Sequence, residues 1–470
     1  MILNLYILAP LIAGILLMVF PNVKQLSKIL FPFVSALLLS FTINNFTLFS
    51  SSHLFEYKEC WFSLNHIQAY FALQFGGLSA LMLLLTAFVY TILSFYLLFS
   101  KEKQEFSNSF YGLLLFVFAG LNGVFLANDL ILFYFFWELV LIPVYFLIGL
   151  WSKAKNSIKA NISFFLYTIF GSMFMLGGII FIGFYLKPDS FLLQDIISVT
   201  SSKSNLGFLF TLFLIAFIIK IPLFPFHTWQ PTIYKTSPTP ITVVLSALMA
   251  KMGLFAVVHW LLNIFPSNYN SFEIYQYIIA FGLIYASLIA MVSNNIKKII
   301  AYSSIAHLAL IFLALFSTKI AVQGAYFQMF SHGLVVLGLW ICVDIAERKY
   351  QANSINSLSG LASVDAPLSI LMMIFGLANV ALPLTSSFIG EFTMLSGLYQ
   401  TKPIICIMAC AGVILSAVYT LRFLGKILFG ETNIVGGKDS ITKSNYWYLW
   451  IVAIIIVILG IYPSVILNSL

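Results

Sequence analysis

The sequence predicts an all-α, polytopic membrane protein, and three observations predict it. Of 470 residues, 61% are apolar and only 8% are charged, with a mean hydropathy of +1.03. A soluble domain carries about a quarter charged residues because its surface faces water. Apolar windows of about 20 residues, the length a helix needs to cross the hydrocarbon core, recur along the chain. Lys and Arg fall mainly in the short connections between windows.

Only a helix bonds its own backbone groups where water is absent, so each window reads as a helix. Fourteen windows run approximately over 2–20, 28–49, 69–99, 109–127, 130–151, 160–186, 206–229, 240–263, 272–293, 298–317, 320–345, 367–397, 403–429 and 445–466. The first has no basic leader and is expected to be a retained helix, and no transit peptide is visible. The longest polar connections, 50–68 and 187–205, are too short to fold alone. The expectation is therefore a single membrane domain over 1–470.

Loop charge gives an orientation, since Lys and Arg favour cytoplasmic loops. One side collects Lys24, Lys28, Lys101, Lys103, Lys153, Lys155, Lys159, Lys235, Lys297, Lys298, Arg348, Lys349, Lys426, Lys438 and Lys443, and the other only Lys58, Lys187, Lys203, Lys319 and Lys402. Both termini are expected outside the cytoplasm.

Two windows are interrupted by proline, at KIPLFPFHTWQP (Pro222, Pro225) and ALPLTSSFIGEF (Pro383). Proline removes a backbone donor, a loss tolerated at depth only where the freed groups face protein or a watered cavity. Each interruption lies in the fourth window of a five-window block, 109–263 and 272–429. An odd number of windows makes the second block enter from the opposite face, the pattern of an inverted repeat with its site near the broken helices.

A mid-span ionisable residue costs at least about 2.5 kcal/mol and is a functional candidate by default. Glu138 lies about eight residues into its window, roughly 12 Å deep. Lys220 precedes the first break, Lys251 sits mid-window without polar neighbours in sequence, His307 and His332 lie near the middle of consecutive windows, and Glu391 follows the second break. Carboxylates, lysines and histidines can each take and release protons. His227, Trp229, His259, Arg422 and Asp344 read as structural or interfacial.

The net charge of +8 forms no basic stripe, so nucleic acid is excluded. Cys60, Cys342, Cys406 and Cys410 have no CxxC spacing, and neither a metal site nor an iron–sulfur cluster is expected. There is no Walker loop, dinucleotide fingerprint or haem motif. The chain is expected to bind no cofactor and to pass protons rather than electrons.

DLILFYFFWELVLIPVYFLIGLW, KANISFFLYTIFGSMFML, KKIIAYSSIAHLALI, SHGLVVLGLWICV and LANVALPLTSSFIGEF resemble the antiporter-like membrane subunits of NADH:quinone oxidoreductase (respiratory complex I), and among these the M, or chain 4, type. The L and N types carry lysine where Glu391 stands. The resemblance implies fourteen helices in two inverted five-helix repeats, with broken seventh and twelfth helices. It implies that Glu138 pairs with Lys220, that Lys251 is the central lysine, that His307 and His332 lead toward the exit, and that Glu391 ends the row. It also implies proton translocation coupled to quinone reduction elsewhere. Partner subunits would then hold NADH, FMN, iron–sulfur clusters and quinone, with antiporter-like L and N chains on either side and a peripheral redox arm. The implied location is a bacterial inner membrane, the mitochondrial inner membrane being the alternative. Around the first break the chain departs from the pattern, with Tyr234 for a histidine and Thr236 for a glutamate. The runner-up is a subunit of a multi-subunit sodium/proton antiporter. A lipid-linked glycosyltransferase would need an acidic loop motif, which is missing.

Overall fold

The computed structural model describes residues 2–49, 55–64, 67–99, 106–201, 203, 206–266, 272–351, 354–431 and 446–468. Lys101, Lys103, Lys438 and Lys443 of the loop-charge reading lie outside these. The principal helices are α1 (Leu5–Val19), α2 (Lys24–Phe49), α3 (Gly77–Phe99), α4 (Asn108–Leu126), α5 (Leu130–Trp151), α6 (Ser157–Leu186), α7 (Leu193–Thr200), α8 (Gly207–Lys220), α9 (Trp229–Thr236), α10 (Thr239–Leu262), α11 (Glu273–Val292), α12 (Ile296–Ala314), α13 (Lys319–Tyr350), α14 (Ala366–Asn379), α15 (Ser386–Thr401), α16 (Pro403–Leu428) and α17 (Trp447–Ile461). Among the described residues, ten helices are long and apolar enough to cross a bilayer, and α1, α8, α14 and α17 are shorter apolar helices.

Both proline interruptions end a helix. α8 stops at Lys220 and the chain resumes helical form at Trp229; α14 stops at Asn379 and α15 starts at Ser386. The window drawn over 69–99 is corrected at its start, where an antiparallel hairpin of β1 (Phe55–Leu64) and β2 (Ile67–Phe75) precedes α3. Its aromatic, alternating residues pass for the beginning of a span in a hydropathy average but suit a pleated strand. Likewise the 187–205 connection holds α7.

The fold forms two compact units. One comprises the described residues within 1–221 and 248–273, the other those within 222–247 and 274–468. In the first, α1 packs on α4 through facing glycines: a Cβ on Gly14 would stand 3.0 Å from the Gly112 carbonyl, and one on Gly112 2.9 Å from that of Gly14. Close backbone approach of this kind is how helices associate where lipid supplies no hydrophobic drive. In the second, α13 and α15 form an analogous seam. A Cβ on Gly324 would collide with Thr393, and one on Gly397 with Thr318 and Ala321.

Helix starts are tied by side-chain caps, each satisfying an otherwise orphan amide. Asn295 caps α12 at Lys298 N, Thr318 caps α13 at Ala321 N, and Asp365 caps α14 at Leu368 N. Asp129 does most. Its carboxylate accepts from the amides of Ile131 (2.9 Å), Leu132 (3.1 Å) and Tyr70 of β2 (2.9 Å), so one buried group starts α5 and pins the hairpin to it. Burial lifts its carboxyl to about 6 against the pull of those donors. A raised folded-state value means that the protonated form favours the fold, and this contribution is lost as pH rises through about 6. Asp129→Ala is expected to strip three amides and destabilise the assembled protein by at least about 1 kcal/mol. Asp129→Asn keeps an acceptor and should stay near the parent at neutral pH, with a flatter stability between about pH 4 and 6. Thermal unfolding of purified variants measures both, and an Ala variant as stable as the parent contradicts the assignment.

Candidate functional site

The first unit gathers Glu138, Lys220 and Lys251. Trp137 and Glu138 are consecutive on α5; the indole is buried, and Oε1 of Glu138 is sealed from solvent with no hydrogen-bond partner. Lys220 is the last residue of α8, 4% exposed, at the point where the helix ends. Its Nζ stands 5.0 Å from the centre of the ring of Trp137, the residue next to Glu138. The indole face attracts the ammonium in a site where desolvation strengthens such contacts.

Lys251 is wholly buried, in an α-helical stretch of α10 between two π-helical turns, Val244–Met249 and Val257–Leu262. π-turns insert a residue into the ladder and cluster at functional sites. Two residues on, Gly253 lets this helix lie directly on α8: a Cβ there would collide with Ile221 and stand 3.1 Å from the Phe217 carbonyl. His259 stacks on Phe255 at 5.2 Å between ring centres, a packing role.

The second unit joins three helices at one point. His307 on α12 is 5% exposed, with Nε2 3.4 Å from Oε1 of Glu391 on α15 and its ring centre 5.5 Å from that of His332 on α13. Nδ1 of His307 lies 2.8 Å from the Ser303 carbonyl one turn earlier. Glu391 and His332 are 3% and 2% exposed. The α13–α15 glycine seam brings them together, for a Cβ on Gly390, beside Glu391, would meet Gln328. At the second break Ala381 (φ 56°) and Leu384 (φ 77°) flank Pro383 in the left-handed region, which costs non-glycine residues roughly 1–2 kcal/mol each and persists only where surroundings enforce it.

Each of the six ionisable candidates is thus buried wholly or in part, whereas Pro225 and Pro383 at the breaks are exposed, and His307, His332 and Glu391 share one cluster although up to 84 positions separate them, as from His307 to Glu391. Other residues were missed. Ser303, Asn379, Tyr419 and Thr420 form a polar network beside His307. Ser303 had a signal, its i−4 spacing to His307 in AYSSIAHL. Asp344, read as interfacial, is 7% exposed because α13 runs on to Tyr350; it accepts from Thr239 and is paired with Arg348. Beside His332, Ser331 bonds Ser386 at 2.6 Å and Ser387 at 3.0 Å. Among the described residues no group of three or more His, Cys, Asp or Glu is arranged to hold a metal ion.

Comparison with known proteins matches this architecture. Residues 127–417 fit the family described as NADH:quinone oxidoreductase/Mrp antiporter, transmembrane. NADH-quinone oxidoreductase subunit M of Rickettsia typhi is 34% identical, with 99% of this chain and 96% of that protein covered. NADH-ubiquinone oxidoreductase chain 4 of Chondrus crispus is 31% identical over 98% of this chain and 94% of that one. Among solved structures, a chain of respiratory complex I from Thermus thermophilus with bound NADH superposes with a TM-score of 0.87 at 25% identity, covering 100% and 97% of the two chains. A chain of the Mrp complex from Dietzia sp. has the same fold, with a TM-score of 0.89 at 19% identity and 99% and 95% coverage. Near-complete alignment with subunits of one name, together with the family match over the helices that carry the buried ionisable residues, identifies the chain as a member of the NADH:quinone oxidoreductase/Mrp antiporter family, in its subunit M (chain 4) group.

Proposed function

We propose that the chain is a proton-translocating membrane subunit of an NADH:quinone oxidoreductase, in which Glu138, Lys220, Lys251, His307, His332 and Glu391 carry the protons. The observation that carries this reading is the contact of His307 with Glu391 and His332 deep in an apolar bundle, beside a broken helix. His307 Nε2 stands 3.4 Å from Glu391 Oε1 and the His332 ring centre 5.5 Å from that of His307, close enough for small side-chain movements to pass a proton along the three. Glu138, Trp137 and Lys220 form the counterpart beside the first break. Neutralising either charge would leave the other alone in low dielectric, so the two protonation states are linked. Pro222, Pro225 and Pro383 act as hinges, because the residues they free from the helical ladder can rebond as the charges move.

Blocks 109–263 and 272–429 are inverted five-helix repeats within fourteen crossings, a reading supported by a helix break in the fourth segment of each. Both termini lie outside the cytoplasm, in a bacterial inner membrane. The chain itself holds no cofactor; NADH, FMN, iron–sulfur clusters and quinone belong to partner subunits, and antiporter-like chains flank it. The likeness to the Mrp complex concerns the fold alone, and glutamate at 391 favours the oxidoreductase over the antiporter.

Two measurements test the reading. In a double-mutant cycle on Glu138 and Lys220, read as NADH-driven proton flux in vesicles containing the intact complex, the pair is expected to be strongly non-additive. Glu138→Asp should retain part of the flux and Glu138→Gln should behave like Glu138→Ala; additive losses would mean the residues do not communicate. Single cysteines introduced beside Lys155 and at Ser201 should react with impermeant reagent from the cytoplasmic and the opposite side respectively, and the reverse would overturn the orientation.

A further inference from the structure

His307 has two ring nitrogens, and its surroundings treat them differently. Nδ1 lies 2.8 Å from the backbone carbonyl of Ser303, one turn earlier on α12. A carbonyl oxygen only accepts, so a contact of that length requires a hydrogen on Nδ1. The Ser303 hydroxyl is also within reach of Nδ1, but at 3.4 Å. Its oxygen receives hydrogen bonds from Tyr419 OH at 2.9 Å and Asn379 Nδ2 at 3.0 Å, and its hydrogen can turn to Asn379 Oδ1 at 3.4 Å. The shorter contact therefore sets the tautomer. Nε2 is turned toward Oε1 of Glu391, 3.4 Å away. We propose that the Ser303 carbonyl makes His307 a single-ended proton relay, in which Nδ1 keeps its hydrogen throughout and every proton enters and leaves at Nε2.

The hydrogen bond made by one imidazole nitrogen decides which nitrogen is protonated in the neutral ring. With Nδ1 occupied in both charge states, Nε2 alone gains and loses a proton. A bare Nε2 opposite an ionised carboxylate would set two unshared pairs against each other, and His307 and Glu391 are 5% and 3% exposed, too buried for bulk water to relieve them. One proton between them removes the conflict. It sits either on Nε2, facing a carboxylate, or on Glu391, donated to a neutral ring. Passing between these states breaks the N–H bond at Nε2, makes an O–H bond on Glu391 and cancels both charges, with no other reactant.

The same contacts identify the partner that moves. The ring is tethered at Nδ1, and Ser303 is itself held from α14 by Asn379 and from α16 by Tyr419. Oε2 of Glu391, by contrast, is buried without a hydrogen-bond partner, so no such bond resists a turn of the carboxyl group. Glu391 therefore does the reaching while His307 stays. The titratable groups against His307 are Glu391 on α15 and His332 on α13, whose ring centre is 5.5 Å from its own; Tyr419 stands beyond Ser303. Because a proton cannot cross a ring whose Nδ1 is committed, His332 must deliver to the same nitrogen from which Glu391 collects.

The proposal rests on His307 and Glu391 being proton carriers, so the test includes both levels. By genetic encoding, His307 of the intact complex is replaced with meta-pyridylalanine, whose ring nitrogen stands near the place of Nε2, or with ortho-pyridylalanine, whose nitrogen stands near that of Nδ1. NADH-driven proton uptake is measured in vesicles for both and for Glu391→Gln, with NADH oxidation and assembly followed in parallel. The meta analogue is expected to sustain at least about tenfold more uptake than the ortho analogue. The reverse order, or uptake indifferent to the place of the nitrogen, overturns the single-ended relay while loss in Glu391→Gln leaves the main path standing. Parent-like uptake in all three overturns the path itself. Should neither analogue assemble or pump, nitrogen NMR of the complex carrying isotope-labelled histidine decides, with the His307 signals identified by their loss in His307→Gln. Nδ1 should bear hydrogen at every pH and only Nε2 should titrate; a hydrogen-free Nδ1 at any pH overturns the assignment.

Discussion

A backbone amide or carbonyl in hydrocarbon has no water to turn to, so it must be bonded within the protein or pay several kcal/mol. That constraint makes nearly every described segment a helix, and it makes each interruption of a helix meaningful. Where α8 ends at Lys220 and α14 at Asn379, freed backbone groups need polar company. Two of the ionisable residues stand at or next to these breaks. Lys220 is the terminal residue of one broken helix, and Glu391 begins the second turn of the helix that follows the other break.

The same constraint bears on how the buried ionisable groups are accommodated. A lone carboxylate or ammonium in this setting would be neutralised by desolvation, whereas a partner keeps it charged. On the proposed reading, Glu138 with Lys220 and Glu391 with His307 are pairs in which a proton passes from one member to the other. The Trp137 indole and the Ser303 carbonyl hold the cation and the imidazole in position for this. Packing fixes the geometry further, since glycines at 253, 324 and 390 let the helices that bear these groups approach to backbone contact.

The helices and both breaks were legible in the sequence because their signals are local, apolar length in one case and proline in the other. Glu138, Lys251, His307 and His332 were legible for a related reason, since a mid-window ionisable group has no inexpensive explanation. What escaped was of two kinds. Serine, threonine, asparagine and tyrosine cost little in an apolar helix and occur throughout, so Ser303, Asn379, Tyr419 and Thr420 carried no sequence signal of belonging together. Their meeting is a product of tertiary packing across more than a hundred positions. The hairpin before α3 escaped because hydropathy averaging does not distinguish an aromatic strand from the first turns of a helix. Asp129 and Asp344 escaped because they lie near span ends, where acids are usually solvated, while here neighbouring segments bury them.

The central claim is that buried ionisable side chains carry protons through this chain. Lys251 tests it most directly, being wholly buried and midway along a helix. The measurement is the number of protons translocated per NADH oxidised by the intact complex with Lys251→Ala, reconstituted in vesicles and checked for full assembly. The account predicts an assembled complex that has lost most of its proton translocation. An assembled Lys251→Ala complex that moves as many protons per NADH as the parent would contradict it.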